Sequence, residues 1–577
     1  MARGIGPNAM PNRHVTDLSY EIELPSGPVS VHMPFVTGVL ADLSPSPING
    51  DRLCDPHHDH PSYSSRPTDR NQLCAVGDRH FHCVSHSTFD EFFAFMAPTV
   101  KISVPDLISG SGEREVSLTF SKLEDFQPEA IARQVPGLLA TEGSGDSAPP
   151  LQSIKGQQQL ALILGSDELA RLINTWCGLY LLTAQARAGS CVEIHVMHLS
   201  RKDLAKTVKK YRGTAWDSSP LFKKLCEQEY GQPGGHPYGC VVGDYYFDHS
   251  APDLETLHGM AQIAAAARFV FLTAASPVLL QLGSWRALNP DLNSKALLTA
   301  NCYGPFKKLR EDDDSRFLFL ALPELHTKLS ELLKLRSVDS MHEASDSPSD
   351  RDLGLNPAYA LAEGLVRTFH LTGWFSNGFH DNLLPAVPIT AVSEASFPNT
   401  KTEHHEALRT VTSRLHDLGL NQLVSSPDGR LRSPSVCWLH QTTLMSESPG
   451  SSTHLPALLC QNRIMHFLNS MCRDRDLEQM EDDAYFQEIK RWLDEFQAGN
   501  GASKSLFKRV SFPSQEMKEE HWQCRKEASF EIELGQGFEV PGSSLQFQIP
   551  GHRLLRQPYA APELVVGILL DMSPFTI

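Results

Sequence analysis

The sequence predicts a mixed α and β protein, and three observations carry that prediction. Near both ends of the chain apolar and polar residues alternate with the period of a half-buried strand, at Tyr20, Ile22 and Leu24 and again at Phe530, Ile532 and Leu534. Between them apolar residues recur at helical spacing, as in Leu169, Leu172, Ile173 and Trp176, and in Ile464, Phe467, Leu468 and Met471. Polar stretches rich in Gly, Ser and Pro divide the chain into blocks: VPGLLATEGSGDSAPPLQSIKGQQQ (135–159), SVDSMHEASDSPSDRDLGLNP (337–357) and SESPGSSTH (446–454).

Taken in order, the strand at Tyr20 is followed by a PSGP turn and a second alternating set, Val29, Val31 and Met33, which predicts a hairpin or two adjacent strands. STFDEFFAFMAP predicts a short helix, with Ser87 or Thr88 placed to cap it and Asp90 and Glu91 suited to its positive N-terminal end. Val100, Ile102 and Val104 alternate, GSGERE offers a turn, and Val116, Leu118 and Phe120 resume the period. Beyond the first junction, Ser166 is placed to cap the helix that carries Trp176, and Val192, Ile194 and Val196 alternate as a strand. The stretch 455–483 is a helix with one apolar face that must pack against a neighbour. The final residues return to strands: Leu545, Phe547 and Ile549, then Leu564, Val566, Ile568 and Leu570.

Composition narrows the function classes. A chain of 577 residues has room for about three to five domains. A net charge of -17 disfavours wrapping nucleic acid or lying on an anionic membrane, since either would be repelled over most of the surface. Twelve cysteines without a CxxC pair do not make a disulfide scaffold and fit reduced thiols in a cytoplasm. The first twenty residues lack the apolar run of a signal peptide. The most apolar stretch, 263–283, contains Arg268 and is broken by Pro277, which predicts a buried helix followed by a turn and no direct membrane insertion.

The chemistry-bearing stretches are few. CDPHHDH, Cys54 to His60, holds a thiol, three imidazoles and two carboxylates, all possible zinc ligands. Adjacent His57 and His58 cannot easily both face one ion, no second ligand cluster follows, and the flanks have loop composition, so a solvated loop is the plainer reading. REDDDSR, 310–316, offers carboxylates for magnesium or acid–base work, but such runs are ordinarily a solvated face or a salt-bridged corner. ISGSGE and GQPGGHPYG lack the lysine of a phosphate loop and read as turns. No GxSxG or HExxH motif is present, so the motifs support neither an enzyme nor a cofactor.

A resemblance covers most of the chain. YEIELPSGPVSVHMPFVTGVLADLS (20–44) and VKISVPDLISGSGEREVSLTFSKLEDFQPEAIARQVPGL (100–138) closely resemble the small contractile-sheath subunit of type VI secretion systems, TssB or VipA. Pro34, Phe35, Gly38, Pro105, Phe126 and Pro128 are among the residues that carry it. ELARLINTWCGLYLL, PLFKKLCEQEYGQPGGHPYGCVVGDYYFD, FKKLREDDDSRFLFLALP, NPAYALAEGLVRTFHLTGW and LPALLCQNRIMHFLNSMCRDR resemble, in family order, the large subunit, TssC or VipB. Gly239, Gly243, Asp244, Arg310, Arg316, Trp374 and Arg473 lie in those motifs.

The resemblance implies two sheath subunits fused in one chain: a small subunit at 1–138, a linker at 139–160, a large-subunit body at 161–524, and C-terminal strands at 525–577 that join a sheet with the N-terminal block. It implies a non-enzymatic protomer of a bacterial cytoplasmic polymer, with a mixed sheet flanked by helices. That polymer forms around an inner tube of the Hcp type, is held by baseplate proteins, and contracts to drive the tube through a membrane. Neighbours would be linked by β-strand addition through Tyr20, Ile22 and Leu24 and through Phe530, Ile532, Leu534, Leu545, Phe547, Ile549, Leu564, Val566 and Ile568. The small subunit's helical tail and the large subunit's N-terminal helical segment are replaced by the short linker. The handle for a ClpV-type disassembly ATPase is therefore in doubt, and similarity is weaker over 375–445. Two alternatives stay open: a tail-sheath protein of a phage-like or extracellular contractile device, and a metal-dependent enzyme built on Cys54 to His60.

Overall fold

The computed structural model describes residues 18–46 (except 26), 75–138 (except 109 and 111), 154–184, 186, 191–231, 234–288, 293–336, 351–373, 375, 390–391, 401–425, 431–433, 436–441, 454–475, 482–496, 507–511, 528–534 and 544–549. They form two compact units. The first comprises Met1–Met33, Arg367–Gly378 and Arg463–Ile577, the second Pro34–Val366 and Phe379–Asn462. None of the four boundaries coincides with the junction at 135–159 that divides the sequence into blocks.

The chain starts in the first unit with β1 (Ser19–Leu24) and β2 (Gly27–His32), an antiparallel hairpin in which Tyr20 faces Val31 and Ile22 faces Val29. The second unit is built on a seven-stranded sheet. Its strands are β3 (Phe35–Ala41), β4 (His82–Cys83), β7 (Val192–His198), β8 (Tyr238–Phe247), β9 (Val270–Ala275), β10 (Leu318–Leu322) and β14 (Leu420–Gln422), in the order β14-β10-β9-β8-β3-β7-β4. All neighbours are parallel except β4, which runs antiparallel to β7 at the edge. A parallel sheet covered on both faces needs strands apolar throughout, and β3, β9 and β10 are buried along their whole length.

This corrects the reading of 263–283. Its first residues, 263–267, end a helix, but Arg268 turns the chain with a left-handed φ of 55° and the run VFLTAA becomes β9. A short uninterrupted apolar run suits the interior of a parallel sheet as well as it suits a buried helix.

Helices α1 (Phe89–Met96), α2 (Pro128–Gln134), α3 (Ile154–Leu164), α4 (Asp167–Thr183), α5 (Arg201–Lys210), α6 (Ala251–Ala267), α7 (Gly304–Glu311), α8 (Pro357–Thr372) and α9 (Lys401–Asp417) accompany the sheet. β5 (Thr99–Pro105) and β6 (Glu113–Thr119) form the expected hairpin, and Phe120 continues it by donating its N–H to Pro98 O. Thr88 stands at the N-cap of α1, yet its hydroxyl serves the Ser85 turn; Ser166 caps α4 by position only, its Oγ buried without a partner. Small antiparallel pairings of β11 (Leu325–Lys328) with β12 (Asp352–Leu355) and β13 (Thr390–Ala391), and of β15 (Val424–Ser425) with β16 (Leu431–Arg432), complete the second unit's strands.

α10 (His454–Asp474) passes into the first unit at Arg463 and is followed there by α11 (Asp482–Asp494). β17 (Phe507–Ser511), β18 (Ala528–Leu534) and β19 (Ser544–Ile549) form a separate three-stranded antiparallel sheet, with Phe530 opposite Phe547 and Ile532 opposite Leu545.

Candidate assembly site

The join between the two sequence blocks is made by β3. The run PFVTGVLA does not alternate, and for that reason does not announce a strand by period. It lies between β7 and β8, strands that follow the junction, with Phe35 opposite Val192 and Ala41 opposite His198 on one side and Val36 opposite Tyr238 on the other. β4 adds a second strand of the N-terminal block beyond β7, with Cys83 opposite His195. Among the described residues it is β3 and β4, and not the C-terminal strands, that the N-terminal block contributes to a sheet with the larger block; β17 to β19 pair among themselves. A strand paired on both sides and buried along its length is cooperative with its neighbours, so within the second unit the parts of the two blocks that meet at β3 share one sheet.

One glycine of β8, Gly239, makes that fit possible, and a second, Gly243, makes room for a ring of β9. A Cβ at Gly239 would lie 2.7 Å from Phe35 Cδ2 and closer still to Cε2; one at Gly243 would meet Phe271 and lie 3.1 Å from Tyr245 Cδ2. Gly38 is packed under Tyr238, whose Cδ1 would stand 3.1 Å from an added Cβ. Asp244 is half-buried next to Gly243; its Oδ2 accepts from Thr175 Oγ1 at 2.6 Å and from the Tyr359 hydroxyl at 3.3 Å, and desolvation pushes its carboxyl above the usual range.

The other motif residues do structural work. Pro105 ends β5, Phe126 packs edge-on against Phe93 with ring centroids 5.6 Å apart, and Pro128 is the first residue of α2. Buried Arg310 donates to Leu439 O and Asp417 O, tying α7 to the last residue of α9 and to the segment after it. Arg316 pairs with Asp313 at 2.8 Å, and His258 with Asp312 at 3.0 Å, so REDDDSR is a salt-bridged corner. Trp374, the cluster from Cys54 to His60, and Leu564, Val566 and Ile568 lie outside the described residues. Among the described residues no group of His, Cys, Asp and Glu is arranged to hold a metal ion.

A network at the β4 edge was not legible from sequence. Glu193 accepts from His195 Nε2 at 3.1 Å and lies 3.4 Å from His236 Nδ1. Those hydrogen bonds hold Glu193 down at about 2. Burial pulls His195 downward, but hydrogen bonds to Cys83 and Glu193 outweigh it and bring the ring to about 9.

In the first unit the N-terminal hairpin is clasped at its base. The Tyr20 hydroxyl donates to Asp474 Oδ2 at 2.6 Å, Arg473 Nε holds the same carboxylate at 2.7 Å, and the Tyr20 ring meets Phe467 edge-on. Burial and the Asp474 bond raise the Tyr20 phenol. Two carbonyls of β1 are taken by side chains: Ser19 O accepts from Trp492 Nε1 at 2.9 Å and Glu21 O from Arg475 Nε at 2.8 Å. Arg463 donates to Met33 O at 2.8 Å while its guanidinium lies over Phe369 and Phe467. On β2, Pro28, Val29 and Ser30 are exposed, and Val29 is 41% accessible. Of the residues expected to link copies, Tyr20 is buried in this clasp, Ile22 is half-buried and Leu24 ends β1. Phe530, Ile532 and Leu534 lie on β18, and Leu545, Phe547 and Ile549 on β19.

The chain is 31% identical over 434 residues to the type VI secretion system sheath protein TssC1 of Pseudomonas aeruginosa, covering 69% of this chain and 86% of that protein. It belongs to the type VI secretion sheath family. The VipB tail sheath N-terminal domain matches residues 154–414, and the type VI secretion system VipA family matches residues 63–141. The sheath protein TssB1 of the same bacterium is 31% identical over 121 residues, covering 21% of this chain and 58% of TssB1. Both sheath families thus meet in one chain. A chain of the anti-feeding prophage baseplate (11% identity, 64% of this chain and 79% of that one) and one of the PVC sheath complex in its contracted state (9%, 63% and 76%) each superpose at a TM-score of 0.33, too loosely to decide anything about function.

Proposed function

We propose that this chain is a complete sheath protomer, the small and large subunits fused, that polymerises around an inner tube and drives it across a membrane by contracting. The observation that carries this reading is β3, a strand of the VipA-type block paired on both sides by strands of the VipB-type block. Fusion fixes the ratio of the blocks at one to one and replaces their docking by an intramolecular step. The sheath-subunit boundaries at 1–138, 161–524 and 525–577 belong to this reading.

Copies are joined by strand addition. Because side chains already take Ser19 O and Glu21 O on β1, the open edge of the hairpin is β2, and the incoming strand comes from the C-terminal sheet of a neighbour. Work is done by passage from a stretched lattice to a better-packed one, which needs neither a nucleotide site nor a turnover reaction in the protomer. The polymer lies in the bacterial cytoplasm with an Hcp-type tube and a baseplate as partners. No helix among the described residues is long and apolar enough to cross a membrane. The short link between the family matches, 142–153, leaves no room for the long helical segments a ClpV-type ATPase grips, so recycling by that route is absent or uses another handle.

Deleting residues 528–577 tests the strand-addition step. The truncated chain is expected to keep its helical circular dichroism and stay in the supernatant on ultracentrifugation while the full chain pellets as tubes. Tubes formed equally well by both would overturn the proposed linkage.

A further inference from the structure

Helix α5 carries a stripe of positive charge that nothing in its own environment explains. Lys202, Lys206 and Lys209 recur at intervals of four and three residues and are exposed, opposite the buried face made by Leu204, Thr207 and Val208. None of the three has an acidic partner among the described residues. The helix's one acid, Asp203, is bound to Arg79 at 2.9 Å, and Arg201 is bound to Asp253. Lys209 sits in the last turn, where the helix dipole favours a cation. Lys202 sits in the first turn, where the dipole disfavours one, and like charges four apart destabilise a helix. The stripe therefore costs the isolated helix stability, on a chain whose net charge is -17.

A long acidic run of the same sequence is DLEQMEDD, where five of the eight residues from Asp476 to Asp483 are acidic. Its first six residues lie outside the described ones, and it leads into α11. We propose that the lysine stripe of α5 is a docking surface for the acidic segment 476–483 of a neighbouring copy. This rests on the assembly reading above and adds to it a lateral, charge-paired contact distinct from strand addition. Acidic chains packed side by side repel, and a basic stripe facing an acidic run relieves that repulsion where the copies touch.

The test is a charge swap. One chain carries Lys202→Glu, Lys206→Glu and Lys209→Glu; the other carries Asp476→Lys, Glu478→Lys and Glu481→Lys. Circular dichroism and melting temperature check that each folds. Each alone is expected to pellet poorly at physiological salt, with association at this contact weakened about tenfold. Mixed one to one they recover, because every reversed stripe then meets a reversed acidic run on the other chain. Analytical ultracentrifugation of the mixture reads the pairwise contact separately from tube formation, so a wild-type chain that forms no tubes counts against the assembly reading and leaves this contact measurable. Reversed chains that associate as well as wild type, or a mixture no better than either alone, would overturn the proposal; the second result is also what a contact within one chain gives.

Discussion

Gly239→Ala tests the join between the blocks most sharply. An added Cβ would stand 2.7 Å from Phe35 Cδ2, whereas ordinary contact begins at 3.4 Å, so the ring must retreat by about 0.7 Å there and further at Cε2. Phe35 is 2% exposed at the start of a strand hydrogen-bonded on both sides, which leaves little freedom to yield. Overpacking of this kind costs about 1–3 kcal/mol. Phe35→Leu alone opens space and costs about 1–2 kcal/mol. Combined, the two relieve each other, and the double variant is expected to lie at least about 1 kcal/mol closer to wild type than the sum of the singles. The assay is the urea midpoint of each purified chain, with hydrogen exchange followed over residues 35–41. Strict additivity, or a Gly239→Ala chain as stable as wild type with unchanged protection of β3, would refute the proposed packing.

Tyr20→Phe removes the donor to Asp474 and is expected to cost about 1–3 kcal/mol of hairpin docking, read as faster proteolysis ahead of Pro34; Trp492→Ala, which also frees Ser19 O, should be worse. The His195 contribution is full below its usual value of 6.5 and is lost as pH rises through about 9. The Glu193 contribution is full above 4.5 and is lost as pH falls through about 2. Glu193→Gln should therefore destabilise most between pH 4.5 and 6.5, and a penalty that grew towards pH 10 would contradict the network. Asp244→Ala leaves the Thr175 and Tyr359 hydroxyls without their acceptor in the core, at about 1–3 kcal/mol each. Asp244→Asn keeps an acceptor and removes a carboxyl that burial already disfavours ionising, so its cost in a melting experiment should be much smaller.

What was legible in the sequence followed the periods. β1, β2, β5, β6, β7, β18 and β19 alternate, and each appears where its pattern falls, as do the helices carrying Trp176 and Phe467. β3 and β9 were hidden because a strand in the middle of a parallel sheet has two apolar faces and no period of two. The glycines of β8 could be quoted as family motif residues, but their purpose, room for the Phe35 and Phe271 rings, depends on partners about 200 residues upstream for one and 30 downstream for the other. The clasp was invisible for the same reason: Tyr20 and Asp474 are 454 positions apart, and nothing in either neighbourhood names the other. REDDDSR could be read as a corner because its partners include its own Arg316.

Under the proposed function one chain suffices for the protomer. Negative-stain electron microscopy of the full chain, produced alone and purified at neutral pH, tests it directly. Long hollow tubes of uniform diameter are the result expected of a complete, self-sufficient sheath protomer. A monodisperse monomer that stays monomeric when an Hcp-type tube and baseplate are supplied would contradict it.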